Sequence, residues 1–380
     1  MTVGVPLPYM PTNRRFAQTL IVLMDGLGPD YVNRSDMPVV KRMMASGCYG
    51  VGKGVLPSVT NVNNASVVTG CFPNRHGIVS NFYFDRATGE SVLMEDASFV
   101  KRPTVFERAS RAGQRSALVA AKDKIRTLLG RGASIAVSAE APPPELVAAA
   151  GPKPPLYSAE ENYWTFRAAR HLLRNESIDV IYLSTTDYVM HRHAPEAAES
   201  LEHLYTLDRM LGEMVDDNPS LRVLLTADHG MNLKTRGIDV ARVLAASGVE
   251  AEAVPIIRDT RTAHHQNLGG ACYVYLNNRR QTRKALDVLR REPGIEEVFP
   301  RREAASTFQL AASRIGDLFV LGARDVAFGS LATARQEIHV RSHGSRYEQD
   351  VPLLRFNAPE SREPRYNLDL VRHLKWPDRA

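Results

Sequence analysis

The sequence predicts an α/β protein with a mostly parallel central sheet flanked by helices, plus a smaller α+β unit inserted late in the chain. Three observations carry that expectation. Short apolar runs alternate with amphipathic helical stretches as far as Met231, the rhythm of a sheet covered by helices. Several of those runs end abruptly in an aspartate or an Asp-His pair. After Met231 the pattern changes, and the residue types found at the strand ends return only at His343.

Core strands are expected over 19–24, 116–120, 134–138, 178–183 and 221–226. Each is a continuous apolar run rather than an alternating one, as in a strand buried on both faces. Helical spacing falls over 39–45, 62–69, 104–112, 160–173 and 195–215, and GPKPPLYS over 151–158 reads as a Pro-rich loop. Beyond Met231 come a helix over 240–246, strands over 253–257 and 271–276, a helix over 281–291, and strands over 297–300, 317–321 and 326–328. This divides the chain into a core formed by 1–233 with 335–380 and an inserted cap formed by 234–334.

At 380 residues with 44% hydrophobic side chains, the chain can bury one large core and one smaller one. The net charge of +6 is not gathered into a Lys/Arg block interleaved with aromatics, so no nucleic-acid partner is expected. No apolar run approaches membrane-spanning length, and the opening MTVGVPLPYMPTNRRFAQ lacks the pattern of a signal peptide. The three cysteines, Cys48, Cys71 and Cys272, have no metal-ligand spacing and are odd in number. Free thiols in a reducing cytoplasm are the simplest reading, and a homodimer is compatible with it.

The chemistry gathers at strand ends. LIVLMDG ends its run in Asp25, IYLSTTDYVMHRH leaves another for Asp187 and His191, and LRVLLTADHG ends a third in Asp228 and His229. In open α/β sheets the carboxyl ends of the strands form the ligand crevice, so these side chains are expected to converge. Asp187 and His191 share one face of a helix if that segment is helical. Carboxylates mixed with imidazoles suit zinc or manganese better than calcium. Taken singly, each aspartate reads as an ordinary strand-end or helix-start residue; three such fragments together read as a metal centre. In VLPSVTNVNNASVVTG, Thr60 stands after a Pro-Ser turn and before a helical pattern. It reads either as a helix cap or, beside metals, as a nucleophile at the positive end of a helix.

Asp25, the PSVTN turn with Thr60, Asp187-x-x-x-His191, Asp228-His229-Gly230 and Ser342-His343-Gly344 together resemble the nucleotide pyrophosphatase/phosphodiesterase branch of the alkaline phosphatase superfamily. The resemblance implies an alkaline-phosphatase-like core and two Zn2+ per chain, with Mn2+ or Fe2+ as substitutes. It assigns one zinc to Asp25, Thr60, Asp228 and His229, and the other to Asp187, His191 and His343. Thr60 is the implied nucleophile.

Finer segments, including NFYF after HGIVS, AAKDKIRTLLG and RSHGSRYEQDVPLL, are similar to the phosphonate-hydrolysing members of that branch. Those enzymes cleave a carbon–phosphorus bond in a small phosphonate substrate. The similarity implies that Asn81, Lys122 and Lys124 contact the substrate, along with Thr60. Met190, Arg192 and Ser345 depart from the pattern, and Arg192 and Ser345 are expected at the pocket rim. Lys122 and Lys124 also read as the solvated first turn of a helix. His193 reads as a residue near the metal site, and His264 and His265 as reaching over the substrate; alone, each also reads as an ordinary structural residue. The Cys71-Phe72-Pro73-Asn74-Arg75 stretch has the shape of a sulfatase motif, but there the cysteine opens a helix, and here Thr69-Gly70 precedes it. The alternatives are a phosphodiesterase on the same core and a catalytically silent, metal-stabilised binding protein.

Overall fold

The structure, a computed structural model, describes residues 17–258, 266–359, 362–372 and 374. Its centre is a seven-stranded sheet in the order Cys48–Lys53, Asp350–Phe356, Arg222–Thr226, Thr19–Leu23, Val180–Ser184, Ser116–Ala120, Ile135–Ser138. The five strands from Arg222–Thr226 to Ile135–Ser138 run parallel. Asp350–Phe356 runs antiparallel to both of its neighbours.

Both faces of this sheet are buried, which is why its inner strands read as unbroken apolar runs. Alternate residues of Thr19–Leu23 serve opposite cores. Leu20 and Val22 pack with the helices Ala159–Asn175 and Ala198–Asp217. Ile21 and Leu23 pack with the helices Thr60–Thr69, Val105–Arg111 and Asp123–Leu129. Helix Val105–Arg111 opens with a reciprocal cap in which Thr104 and Glu107 satisfy each other's backbone N–H groups.

A four-stranded antiparallel sheet, in the order Ala251–Pro255, Ala271–Leu276, Leu318–Gly322, Ile295–Pro300, lies late in the chain. Helices Val240–Ala245 and Thr282–Arg290 cover its outer face. Its strand Ala271–Leu276 is buried throughout, and the residues alternate in destination. Cys272, Val274 and Leu276 join the small unit's own core, while Ala271, Tyr273 and Tyr275 join the core shared with the main sheet. Strands Asn232–Ile238 and Arg335–Ser342 pair antiparallel, so the chain leaves for the small unit and returns from it side by side.

Candidate metal centre

Strand register sets the site. Leu23 lies opposite both Ser184 and Thr226, and Ser184 lies opposite Ala120. Four neighbouring strands therefore end at one level, and Asp25, Lys122, Asp187 and Asp228 emerge together just beyond them. Gly26 permits this crowding: it has φ +76°, and a Cβ there would stand 2.9 Å from Cβ of Asp187. Backbone N–H groups tie the turns together. Asp25 N donates to Thr185 Oγ1 (2.8 Å), while Gly26 N and His229 N both donate to Asp228 Oδ1 (3.0 and 2.9 Å).

Asp187 precedes the one-turn helix Tyr188–Arg192, which brings His191 Nε2 to 2.9 Å from Asp187 Oδ2. His343 follows strand Arg335–Ser342. All three histidines share one arrangement: Nδ1 meets a backbone carbonyl, that of Arg341 for His191 (2.7 Å), Gly230 for His229 (2.9 Å) and Ser58 for His343 (2.8 Å). A carbonyl only accepts, so Nδ1 carries the proton and Nε2 presents its lone pair, the second-sphere pattern of metal-ligating histidines. The rings of His229 and His343 stack, centroids 3.4 Å apart and 11° from parallel. Burial pushes both below the usual histidine range, and His229 adds to the effect on His343, so both are neutral at pH 7.

Thr60 is the first residue of helix Thr60–Thr69, every residue of which is buried. The cap position before it is held by Val59, so Thr60 is not the helix cap; its Oγ1 lies 3.5 Å from His229 Nε2. Two asparagines of this buried helix, Asn63 and Asn64, find specific partners, while the Asn61 amide is buried without one among the described residues. Asn63 Oδ1 accepts from Val55 N (2.6 Å), and Asn64 Oδ1 accepts from the Tyr182 and Ser184 hydroxyls (2.8 and 3.0 Å). The helix start is thereby held against the strand ends.

Ligand atoms of Asp25, Asp228 and His229 all lie within 4.8 Å of one another, as do those of Asp187, His229 and His343. His229 belongs to both groups, and His191 joins through Asp187. The donor set fits a divalent metal on a structural ground. Asp25 Oδ1 and Asp228 Oδ2 are fully buried acceptors with no hydrogen-bond partner, and each stands 3.4 Å from the His229 Nε2 lone pair. Acceptors that face one another in a dry interior call for a cation between them. The electrostatics agree. Burial, then the nearby Asp187 and Asp228 carboxylates, holds Asp25 well above the usual carboxylate range, and burial first lifts Asp228 to about 6. Burial alone would raise Asp187 too, but the Lys122 ammonium outweighs it and holds that carboxyl well below its usual range.

The remaining sequence candidates fall in varied places. Lys122 is buried, not solvated, with Nζ 3.0 Å from Asp25 Oδ2 and 3.1 Å from Asp187 Oδ1. Lys124 is half-buried in the first turn of helix Asp123–Leu129. Asn81 is buried; its Nδ2 donates to Arg258 O (3.2 Å), while its Oδ1 has no partner. Ser345 does not match the expected rim position. Ser345 is fully buried and caps the turn Arg346–Glu348, and Arg192 is exposed over the Tyr188 ring. His193 pairs with Glu199 (3.5 Å), and His264 and His265 lie outside the described residues. Cys71 follows the Gly70 cap that ends helix Thr60–Thr69, so it does not open a helix.

Sequence reasoning missed the groups that aim the ligands. Three are backbone carbonyls, which carry no sequence signal. The fourth is a buried ion pair: Lys234 Nζ meets Glu348 Oε1 at 2.8 Å, both side chains fully buried. The backbone carbonyl of Glu348 accepts from Gly230 N (2.7 Å), and its carboxylate accepts from Ser345 N (3.0 Å). The pair thus joins the loops that carry His229 and His343.

The family model for type I phosphodiesterase/nucleotide pyrophosphatase matches residues 19–346. Phosphonoacetate hydrolase from Sinorhizobium meliloti 1021, solved with phosphonoformate, is similar at 32% identity, 94% coverage of both chains and a TM-score of 0.87. The same enzyme solved with phosphonoacetate gives 31% identity at the same coverage and TM-score. Rat ectonucleotide pyrophosphatase/phosphodiesterase family member 1 is 24% identical over 247 residues, 60% of this chain. That match spans 25% of the relative's length. Murine ectonucleotide pyrophosphatase/phosphodiesterase 5, at 18% identity and a TM-score of 0.70, shares the fold.

Proposed function

The chain belongs to the type I phosphodiesterase/nucleotide pyrophosphatase family of the alkaline phosphatase superfamily, and from that premise we propose that it hydrolyses the carbon–phosphorus bond of phosphonoacetate to acetate and phosphate. The observation that carries this reading is the likeness to phosphonoacetate hydrolase over 94% of both chains. Asp25, Thr60, Asp228 and His229 would hold one Zn2+, and Asp187, His191 and His343 a second. Zinc bound there would lower the pKa of the Thr60 hydroxyl and neutralise phosphoryl oxygens.

The chain's own residues then divide the work. The buried helix start fixes the Thr60 oxygen, and its unpaired backbone N–H groups favour the phosphoryl charge. As the Thr60 oxygen–phosphorus bond forms, the carbon–phosphorus bond breaks and its electron pair leaves on carbon as the enolate of acetate. That carbon takes a proton from water, and the hydroxide left is neutralised by the proton the Thr60 hydroxyl released. Lys122 and Lys124 would balance charge on the substrate carboxylate as the enolate develops, and Asn81 would orient the phosphonate. Water then attacks the phosphothreonine phosphorus, releasing phosphate and restoring the hydroxyl. Residues 234–334 are taken as a cap over this site.

No helix among the described residues is long and apolar enough to cross a membrane. A cytoplasmic, small-molecule hydrolase, alone or as a homodimer, is in keeping with the phosphonoacetate hydrolase likeness. The deciding experiment compares phosphate release from phosphonoacetate with hydrolysis of bis-p-nitrophenyl phosphate by zinc-loaded protein. Phosphonoacetate should be the better substrate by kcat/KM. A phosphodiester turned over faster would replace this reading with that of a phosphodiesterase.

A further inference from the structure

Three buried carboxylates, Asp25, Asp187 and Asp228, crowd the ends of the central strands. The ammonium hydrogen-bonded among them is that of Lys122, which leaves strand Ser116–Ala120 and sits at the start of helix Asp123–Leu129. The contacts are divided in a specific way. Lys122 Nζ takes Oδ2 of Asp25 and Oδ1 of Asp187. The other oxygen of each faces imidazole nitrogens: Asp25 Oδ1 lies 3.4 Å from His229 Nε2, and Asp187 Oδ2 lies 2.9 Å from His191 Nε2 and 3.7 Å from His343 Nε2. Lys122 therefore spans the carboxylates of both candidate metal sites while leaving each one oxygen for the centre. Like charges this close in a dry interior repel, and without a cation they protonate or move apart.

We propose that Lys122 is the built-in counterion of the metal-free protein, holding the carboxylates of both sites assembled until metal arrives and competing with it for their charge. This role rests on the two-site reading above and precedes any contact between Lys122 and substrate. It differs from two other roles in the sign of its effect on metal. A group that only binds substrate leaves metal affinity unchanged when removed. A group that only orients ligands weakens metal binding, as loss of outer partners does elsewhere. A competing counterion tightens metal binding when removed, because the metal-free state is the one that suffers.

The test uses the full chain, stripped with a chelator or loaded with zinc, in parent, Lys122→Met and Lys122→Arg forms. Melting is followed for both states, and zinc affinity is measured by competition with a chromogenic chelator. Lys122→Met should lower the melting temperature of the stripped protein by about 5 °C or more and that of the loaded protein by clearly less. It should bind zinc at least about tenfold more tightly. Lys122→Arg, which keeps the charge, should stay near the parent in all three measurements. Folding of Lys122→Met only in the presence of zinc also supports the proposal. Unchanged or weaker zinc affinity, equal melting losses in the two states, or failure to fold in both would overturn it. The parent's zinc stoichiometry and its phosphate release from phosphonoacetate report separately on the two-zinc hydrolase reading, so either reading can fail alone.

Discussion

Replacing Lys234 by methionine leaves Glu348 as a fully buried carboxylate without its cation. Both side chains are wholly enclosed, so solvent screening does not discount the interaction. Breaking one side of such a pair costs about 3–5 kcal/mol, because the surviving charge stays buried. Burial would raise the Glu348 carboxyl, but Lys234, Asn232 and Ser345 outweigh it and hold it below the usual range. A depressed carboxyl contributes stability that is present above its unfolded pKa and lost as pH falls through its folded one. In Lys234→Met that contribution shrinks, so the variant should lose most at pH 7 and converge on the parent in acid. Urea unfolding of both proteins at pH 7 and pH 4 reads this directly. The double variant Lys234→Met/Glu348→Gln should recover part of the loss, leaving a coupling energy in the cycle. A loss under about 1 kcal/mol at pH 7, the range of exposed pairs, would refute the argument that this pair is held out of water.

Thr60→Ala should abolish phosphate release from phosphonoacetate. Because Val59 and not Thr60 holds the cap position, the substitution should cost less than the ~1 kcal/mol of a lost cap in urea unfolding; Thr60→Ser should recover part of the turnover. His343→Ala should lower bound zinc from two toward one per chain by metal quantification, since Asp25, Thr60, Asp228 and His229 remain; unchanged stoichiometry would reject the assignment. Lys124→Ala should lose at least about tenfold in kcat/KM for phosphonoacetate and little for p-nitrophenyl phosphate, which has no carboxylate; equal losses would return Lys124 to a merely structural role. Burial, with help from Arg314, pushes His76 down to about 3, where its ring takes a bond from Ile78 N (3.1 Å) and meets Ser66 Oγ (2.9 Å). The unfolded chain binds that proton first, so stability should fall by about 1.4 kcal/mol per pH unit between pH 6 and pH 4 on this account; the pH dependence of urea unfolding should flatten in His76→Gln.

The inner strands were legible because sheet strands covered on both faces must be apolar throughout, and the candidate ligands were legible because they follow those strands. The outer elements were not. Cys48–Lys53 carries two glycines and is largely accessible to solvent, so its strand pattern is faint. Asp350–Phe356 contains Pro352, a residue that argues against an inner strand, yet it lies between two antiparallel neighbours. Asn232–Ile238, with the sequence NLKTRGI, hides the fully buried Lys234, whose burial depends on a partner far along the chain. Lys122 was placed at the site through family likeness, but its hold on Asp25 and Asp187 follows from strand register, which no local pattern encodes. Ser345 stands out in the sequence as a departure from the family pattern, but the turn after Gly344 (φ +119°) carries it inward to Glu348, away from a pocket rim.

Strand Ala271–Leu276 has a consequence for how the molecule comes apart. Its alternate side chains belong to two cores, and Tyr273 reaches past the boundary to donate to Val79 O (3.1 Å), two residues before Asn81. Arg86, in the turn of the Phe82–Leu93 hairpin, pairs with Asp317, just before the inner strand Leu318–Gly322 of the small sheet. Peeling the small unit away would expose Tyr273, Tyr275, Phe319 and Leu321 together with the part of the main core they cover. The small unit therefore has no low-energy route to opening alone. Amide hydrogen exchange in Ala271–Leu276 should proceed with the protection of Thr19–Leu23, and heating should melt both sheets in one cooperative step.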